Sequence, residues 1–221
     1  MNRTVCNPFL HGFKNRPVKL SAAAGFLWLV LLFINTAVQA QTPRFDQLRE
    51  RFERGEILNS LFTHDYHDSY TGEQTRTQGE IWIGREKYRV ESDQQIMVVD
   101  GGISRVYDGI RNRVLISDYV EEEDDFAPSR MLQGVDETYD IVEEEIAGGT
   151  VVTLTTDDPF AVFTHVEIRL GEAGLPQVIE ARDQVDNILT TRFQEGQFIQ
   201  PEPGLFEMEP PGDAERIDLR H

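Results

Sequence analysis

Short β-prone segments separated by turn residues follow one another through most of this sequence, and they constrain its fold more than any other feature. The segments are rich in Val, Ile, Thr, Tyr and Phe, and Gly, Asp or Asn residues stand between them, as at residues 100–102 and 148–149. Connections this short join antiparallel strands, because a parallel pair needs a crossover of a dozen or more residues. The sequence therefore predicts an antiparallel meander of about ten strands that curls and covers one apolar face. The predicted strands are residues 80–90, 95–99, 104–107, 113–119, 138–144, 150–155, 164–170, 177–181, 188–194 and 205–208.

Two helical segments accompany the predicted sheet. Apolar residues recur at three-to-four spacing over residues 43–61, which predicts an N-terminal helix. A shorter segment interrupts the meander at residues 126–134, with a proline near its start and a glycine at its end. Its apolar residues Met131 and Leu132 need a partner surface, so we expect a short helix packed on the sheet. The predicted class is α+β, with mainly antiparallel β-structure.

The first 40 residues have the three parts of a secretory signal peptide. Residues 1–20 carry four basic and no acidic residues, and residues 22–34 are apolar. Val38 and Ala40 then stand at the two positions that a signal peptidase reads. A membrane anchor is the alternative, but a spanning helix needs about 20 apolar residues. We predict cleavage after Ala40, export to the periplasm, and a single mature domain over residues 41–221.

Acidic residues far outnumber basic ones, and the formal net charge is −18. This charge argues against a nucleic-acid partner, because phosphate contact requires clustered Lys and Arg. The single cysteine, Cys6, precedes the predicted cleavage site, so the mature chain has no disulfide. Lys87 is the only lysine after residue 40. An acidic, lysine-poor surface fits either a high-salt habitat or a codon usage that favours arginine, and the sequence leaves both open.

The sequence contains none of the motifs that commonly mark an enzyme. It has no glycine-rich phosphate loop, no G-x-S-x-G elbow and no H-E-x-x-H helix. His64, Asp65, His67 and Asp68 form a cluster of side chains that can bind metals. In an extended segment, however, successive side chains alternate between faces, so His64 and His67 would not converge on one ion. We therefore predict no catalysis, no metal site and no cofactor.

Alternation along the predicted strands nominates inward-facing residues. Trp82, Tyr88 and Val90 fall at even spacing in the first predicted strand, and Ile96 and Val98 do so in the next. A curled sheet of this size either fills its interior with side chains or encloses a ligand cavity. Periodicity alone leaves both interpretations open.

Four segments carry motifs that occur together in one known family. Residues 79–90 are similar to a G-x-(L/I)-W-(V/I)-x-R…(F/Y)-R strand, and residues 99–108 to a following hairpin with a D-G turn. Pro128, followed by Met131 and Leu132, resembles a lid helix, and residues 206–212 resemble a closing F-x-(F/M)-x-P-P-x-G strand. In this order, over residues 45–218, the chain resembles the periplasmic lipoprotein carrier family LolA.

This resemblance implies an unclosed, half β-barrel with a helical lid over a hydrophobic cavity for the acyl chains of lipoproteins. It implies a monomer without catalysis, which receives cargo from an inner-membrane lipoprotein-releasing ABC transporter and delivers it to the outer membrane. It does not decide whether an outer-membrane receptor takes part. Arg85 matches the position whose side chain holds the lid helices and gates the cavity. The alternative is a related half-barrel that senses the state of the envelope or regulates by binding lipid or lipoprotein. The implied cavity and lid residues are Trp82, Arg85, Tyr88, Val90, Ile96, Val98, Met131 and Leu132.

Overall fold

The predicted turns join consecutive strands of one large sheet. A computed structural model describes residues 42–120, 128–133 and 139–220, and within them it contains two helices and twelve strands. The helices are α1 (Pro43–Glu53) and α2 (Pro128–Gln133). The strands are β1 (Ile57–His67), β2 (Gln74–Ile83), β3 (Lys87–Ser92), β4 (Gln95–Asp100), β5 (Ile103–Asp108), β6 (Arg113–Asp118), β7 (Asp140–Ile146), β8 (Gly149–Thr155), β9 (Phe163–Gly171), β10 (Pro176–Asp183), β11 (Ile188–Ile199) and β12 (Glu215–Asp218).

The sheet is open. Its strand order is β12-β6-β5-β4-β3-β2-β1-β11-β10-β9-β8-β7, so β12 and β7 form the two edges within the described residues. Neighbouring strands are antiparallel except β12 and β6, which run parallel. The prediction of an unclosed, mainly antiparallel half-barrel with an N-terminal helix is confirmed, with twelve strands instead of about ten.

Helix α1 begins at a proline and ends before a glycine. Pro43 occupies the first turn, where its missing amide costs no hydrogen bond, and Gly55 takes the left-handed φ of 80°. The prediction that this helix continues to residue 61 is wrong, because the chain turns at Gly55 and residues 57–61 begin β1. The short helix predicted within residues 126–134 is present as α2.

Two predicted strands differ from the structure. The predicted strand 80–90 is in fact β2 and β3, because the amide of Gly84 donates to the carbonyl of Lys87 at 2.8 Å and closes a turn. The predicted strand 205–208 forms local turns, in which its amides donate to carbonyl groups three residues earlier. The last strand of the sheet is instead β12, which lies further along the chain.

One face of the sheet carries both helices and the hydrophobic core, and we call it the helix-bearing face. Phe45, Leu48 and Phe52 of α1 and Leu132 of α2 are buried in a single core with alternate residues of β1, β2 and β8–β11. Glu143, on edge strand β7, accepts hydrogen bonds from the first backbone amides of α1 at 3.1 Å. A carboxylate in this position pairs otherwise unsatisfied amides and complements the helix dipole, so it fixes where α1 begins.

The opposite, outer face is partly covered by the C-terminal segment. The guanidinium of Arg89 donates to the carbonyl oxygens of Leu205 and Glu207 at 3.2 and 2.7 Å. Val98 pairs with Arg89 across β3 and β4 and is fully buried on this face. Apolar residues of the central strands are therefore buried on both faces, which alternation alone does not predict.

The described helices include none that is long and apolar enough to cross a membrane. Residues 1–41, which contain the predicted signal peptide, lie outside the described part of the chain. Export and cleavage after Ala40 therefore stay predictions.

Candidate functional site

A cavity of about 250 Å³ opens on the helix-bearing face of strands β1 to β4. The α1 helix and its apolar side chains fill another part of this face, over the core. The cavity is lined by three apolar and four polar residues: Phe62, Val90, Met97, His64, Thr77, Ser92 and Gln95.

The strand register brings the lining residues together. Phe62 lies opposite Gly79, Gly79 lies opposite Ser92, and Val90 lies opposite Met97. Residues opposite one another in antiparallel strands share a face, so all of these face the helices. A Cβ atom at Gly79 would overlap a backbone carbonyl of β3. The close approach of β2 and β3 beside the cavity therefore requires glycine at this position.

The polarity of the lining changes along the cavity. Phe62 is buried, whereas Thr77 and Gln95 are exposed. His64, Ser92, Val90 and Met97 are half-buried between them. A lining that is apolar at its buried end and polar at its exposed edge suits an amphiphile whose chain enters and whose polar group stays at the rim.

His64 is the titratable side chain of the lining, and its Nδ1 lies 2.9 Å from Oγ1 of Thr191. Burial lowers the pKa of His64 below its ordinary value, and the charge of neighbouring Asp65 opposes part of this shift. A neutral imidazole is therefore favoured near neutral pH, which is compatible with an apolar ligand beside it.

The predicted cavity residues are divided between the two faces. Val90 lines the cavity, and Tyr88 lies on the same face and is buried. Trp82 pairs with Arg89 and lies on the outer face, so the prediction that Trp82 shares a face with Tyr88 and Val90 is wrong. The physical reason is the turn at residues 84–86, which reverses the chain and breaks the count of alternating residues.

Ile96 and Val98 share a face, as alternation predicts, but it is the outer face. Val98 lies opposite Arg89, and Ile96 lies opposite Glu91, whereas the cavity residue Met97 lies between them along β4. The cavity therefore takes its β4 side chains from the other set of alternating positions.

The predicted lid residues Met131 and Leu132 are buried. Both belong to the core that includes Phe52 of α1 and Phe62 of β1. Phe62 also lines the cavity. The helix α2 thus packs on the same face as the cavity, and its function as a lid stays a prediction.

Arg85 lies in the turn between β2 and β3. Its side chain is 61% exposed, and its Nε is 3.9 Å from Oε1 of Glu86. It borders a groove between this turn and the C-terminal segment that includes Leu205 and Phe206. Its role in holding the lid stays a prediction.

Sequence reasoning missed most of the cavity lining, because it predicted no strand over residues 62–79 and chose the outward-facing set of alternating residues in β4. An available signal was the alternation of Leu58, Ser60, Phe62, His64 and Tyr66, which all face the helices. The missed lining residues are Phe62, His64, Thr77, Ser92, Gln95 and Met97.

The side chains of the His64–Asp68 cluster are divided between the two faces of the sheet. His64 faces the helices and His67 the outer face, since an odd spacing separates them along β1. The carboxylate of Asp65 binds the guanidinium groups of Arg76 and Arg192 at 2.5 and 2.7 Å, and Arg76 holds the pKa of Asp65 below its usual range. The described residues contain no group of three or more acidic, His or Cys side chains that could hold a metal ion.

Comparison with known proteins finds similarity of structure but not of sequence. No protein-family model and no curated protein matches the chain. An uncharacterised conserved protein from Thermus thermophilus is similar in structure with a TM-score of 0.50 and 12% identity, over 78% of this chain and 98% of that one. A LolA superfamily protein from Nitrosomonas europaea has a TM-score of 0.44 and 10% identity, over 78% and 99%. An outer membrane lipoprotein-sorting protein domain from Vibrio parahaemolyticus has a TM-score of 0.41 and 11% identity, over 74% and 94%. At these identities the similarity concerns the fold alone.

Proposed function

We propose that this chain is a periplasmic carrier that binds the acyl chains of lipoproteins released from the inner membrane and delivers them to the outer membrane. The observation that carries the proposal is the cavity on the helix-bearing face, with the apolar Phe62 at its buried end and polar residues at its exposed edge. The motifs that resemble the LolA family, in order along the chain, support the same function. The proposed partners are acylated lipoproteins and an inner-membrane ABC transporter that releases them.

The size of the cavity gives a scale for binding. An engineered cavity of about 150 Å³ holds one benzene molecule, so by proportion 250 Å³ holds roughly ten carbon atoms. At about 0.8 kcal/mol per buried methylene, ten carbons provide about 8 kcal/mol before the cost of ordering the ligand is subtracted. The cavity thus accommodates part of one acyl chain of ~16 carbons, which carries roughly 12 kcal/mol in total.

A carrier must also cover its apolar surface when it is empty, because large exposed apolar patches promote association. Met131 and Leu132 of α2 are buried on the helix-bearing face, where a movable cover would be needed. We propose that α2 serves as this lid and that Arg85 helps to hold it. A guanidinium suits such a role, since it remains charged and offers five donors.

The direct test is binding of a synthetic dipalmitoylated lipopeptide to the purified protein, compared with the same peptide without acyl chains. Binding that requires the acyl chains supports the proposal, and equal affinity for the two peptides refutes it. Mass spectrometry of the protein isolated from its own cells should detect acylated lipoproteins. Depletion of the protein should leave outer-membrane lipoproteins in the inner membrane.

A further inference from the structure

One end of the sheet carries apolar side chains at the tips of its turns, and we call it the Tyr70 end. Five connections lie at this end, at residues 68–73, 93–94, 109–112, 156–162 and 184–187. Consecutive strands are antiparallel, so alternate connections fall at the same end of the sheet. The antiparallel pairing of β1 with β11 places the connections of the two halves of the sheet at one common end. Among the described residues, the four most exposed large hydrophobic side chains are all in these turns. They are Tyr70 at 96%, Phe160 at 92%, Ile110 at 72% and Val185 at 66%.

Each of these four side chains lies in a turn that contains the same hydrogen bond between an aspartate and the backbone. An aspartate two residues earlier accepts a hydrogen bond from the backbone amide of the apolar residue, at 2.8 to 3.0 Å. The carboxylate is thereby turned back onto its own turn, and the apolar side chain stands at the tip. The aspartate–hydrophobic pairs are Asp68 with Tyr70, Asp108 with Ile110, Asp158 with Phe160 and Asp183 with Val185.

Three of these turns are also bound to one another. The hydroxyl of Ser69 donates to the carbonyl of Val185 at 2.6 Å, and its amide donates to Oδ1 of Asn187 at 2.9 Å. The side-chain amide of Gln184 donates to the carbonyls of Asp158 and Ala161, both at 3.0 Å. The tips with Tyr70, Val185 and Phe160 therefore form one braced unit.

The cavity opens toward the same end. Its exposed lining residues are Thr77, near the start of β2, and Gln95, which follows the β3–β4 turn of the Tyr70 end. The exposed part of the cavity lining and the apolar tips therefore lie toward the same end of the sheet. At the opposite end of the sheet, with its turns at residues 84–86, 101–102, 147–148 and 172–175, the large hydrophobic side chains among the described residues are less exposed, with Leu219 at 53% and Ile146 at 45%.

We propose that the Tyr70 end docks on an uncharged, zwitterionic lipid bilayer surface, with the four apolar tips inserted into its interface. The tips are single side chains on separate turns. Phe160, Val185 and Tyr70, on the β8–β9, β10–β11 and β1–β2 turns, are two strands or about 10 Å apart, and Ile110 on the β5–β6 turn is four strands or about 20 Å from Tyr70. A fluid lipid surface can close around each such point, whereas a protein interface concentrates its apolar residues in a packed centre. Tyr and Phe are residue types that anchor proteins at membrane interfaces.

The charge of the Tyr70 end selects the lipid. Asp68, Asp158 and Asp183 stand beside the tips together with further acidic residues, and an anionic lipid surface would repel them. Binding should therefore be stronger to zwitterionic than to anionic bilayers, and added salt should reduce that difference. The inference deepens the proposed function, on which it rests, by assigning the surface through which the carrier approaches a membrane.

The test is co-flotation of the protein with phosphatidylcholine vesicles and with vesicles that also contain phosphatidylglycerol. The double variant Tyr70→Ser, Phe160→Ser removes the two aromatic tips but leaves both backbone hydrogen bonds to aspartate. Leu219→Ser is the matched control, because Leu219 is 53% exposed but follows β12 at the other end of the sheet. We expect the wild type and the control to bind phosphatidylcholine, and the double variant to lose about tenfold in partitioning for each aromatic tip.

Three results would overturn the docking proposal. The wild type could fail to float with phosphatidylcholine vesicles, or the double variant could float as well as the wild type. The wild type could also bind the vesicles that contain phosphatidylglycerol more strongly than pure phosphatidylcholine vesicles at low salt. The first result would indicate that the apolar tips bind a protein partner and not a lipid surface. Denaturant unfolding of each variant, together with binding of the dipalmitoylated lipopeptide in the absence of vesicles, keeps the two proposals apart. Flotation without lipopeptide binding would refute the carrier function alone, and lipopeptide binding without flotation would refute the docking alone.

Discussion

Filling the cavity from within should weaken acyl-chain binding without unfolding the protein, and Val90→Phe is the substitution that tests it. Val90 is half-buried, lines the cavity and lies opposite Met97 across β3 and β4. Phenylalanine adds about four carbon atoms on the cavity side, which is space that the ligand would otherwise occupy. At about 0.8 kcal/mol per displaced methylene, the loss is about 3 kcal/mol, or roughly a hundredfold in the dissociation constant.

The assay is displacement of a bound fluorescent fatty acid by the dipalmitoylated lipopeptide. Saturated fatty acids of increasing length serve as a second series. For the wild type we expect affinity to increase with chain length up to roughly ten carbons, the capacity estimated from the cavity volume. In Val90→Phe the increase should stop about four carbons earlier.

Val142→Phe is the matched control, because it makes the same exchange at an exposed position on edge strand β7. Its lipopeptide affinity and chain-length series should equal those of the wild type. If Val90→Phe also binds like the wild type while its unfolding midpoint is unchanged, then the acyl chain does not occupy this cavity and the reasoning from its volume is wrong.

Three further predictions concern the lid, the start of α1 and the cavity histidine. Arg85→Leu should keep the unfolding free energy within about 0.5 kcal/mol but block uptake or release of the lipopeptide; unaltered transfer kinetics would contradict the gating role. Glu143→Gln should cost about 1 kcal/mol in denaturant unfolding by weakening the bonds to the amides of α1, whereas Glu145→Gln on the same strand should not. Burial lowers the pKa of His64 in the folded protein, so as the pH decreases below about 6.5 the unfolded chain binds a proton first and stability should fall. Lipopeptide affinity should fall only at lower pH, where the imidazole of the folded protein is itself protonated. His64→Gln should flatten both profiles and His67→Gln should not.

The sequence predicted the type of fold well because the turns are marked locally. Glycines such as Gly101 and Gly148 adopt positive φ, which other residues rarely do, and so they mark the hairpins without reference to the rest of the chain. The start of β1 was not predictable in this way, because the spacing of Ile57, Leu58 and Leu61 fits a helix as well as a strand. Tertiary pairing with β2 and β11 decides between them.

The candidate site was only partly predictable from the sequence. Whether a side chain points to the helix-bearing face or to the outer face depends on the register between neighbouring strands of a hairpin. Within β4, alternation correctly grouped Ile96 with Val98, but nothing local shows which face that group takes. The register places Val98 opposite Arg89 and therefore on the outer face. Trp82 also lies opposite Arg89, across β2 and β3, and therefore also faces outward. A motif that includes Trp82 thus identifies a strand reliably while leaving the direction of its side chain undetermined.

The two helices on the helix-bearing face differ in how much it would cost to move them. An acyl chain of ~16 carbons exceeds the cavity by about six methylenes, which are worth about 5 kcal/mol if they are also buried. Exposing Met131 and Leu132 of α2 costs about 3–6 kcal/mol, so the additional methylenes offset that cost. Exposing Phe45, Leu48 and Phe52 of α1 costs about 5–9 kcal/mol and also breaks the hydrogen bonds that the first amides of α1 donate to Glu143. If the protein carries such cargo, α2 is therefore the helix that moves, and α1 stays in place over the core.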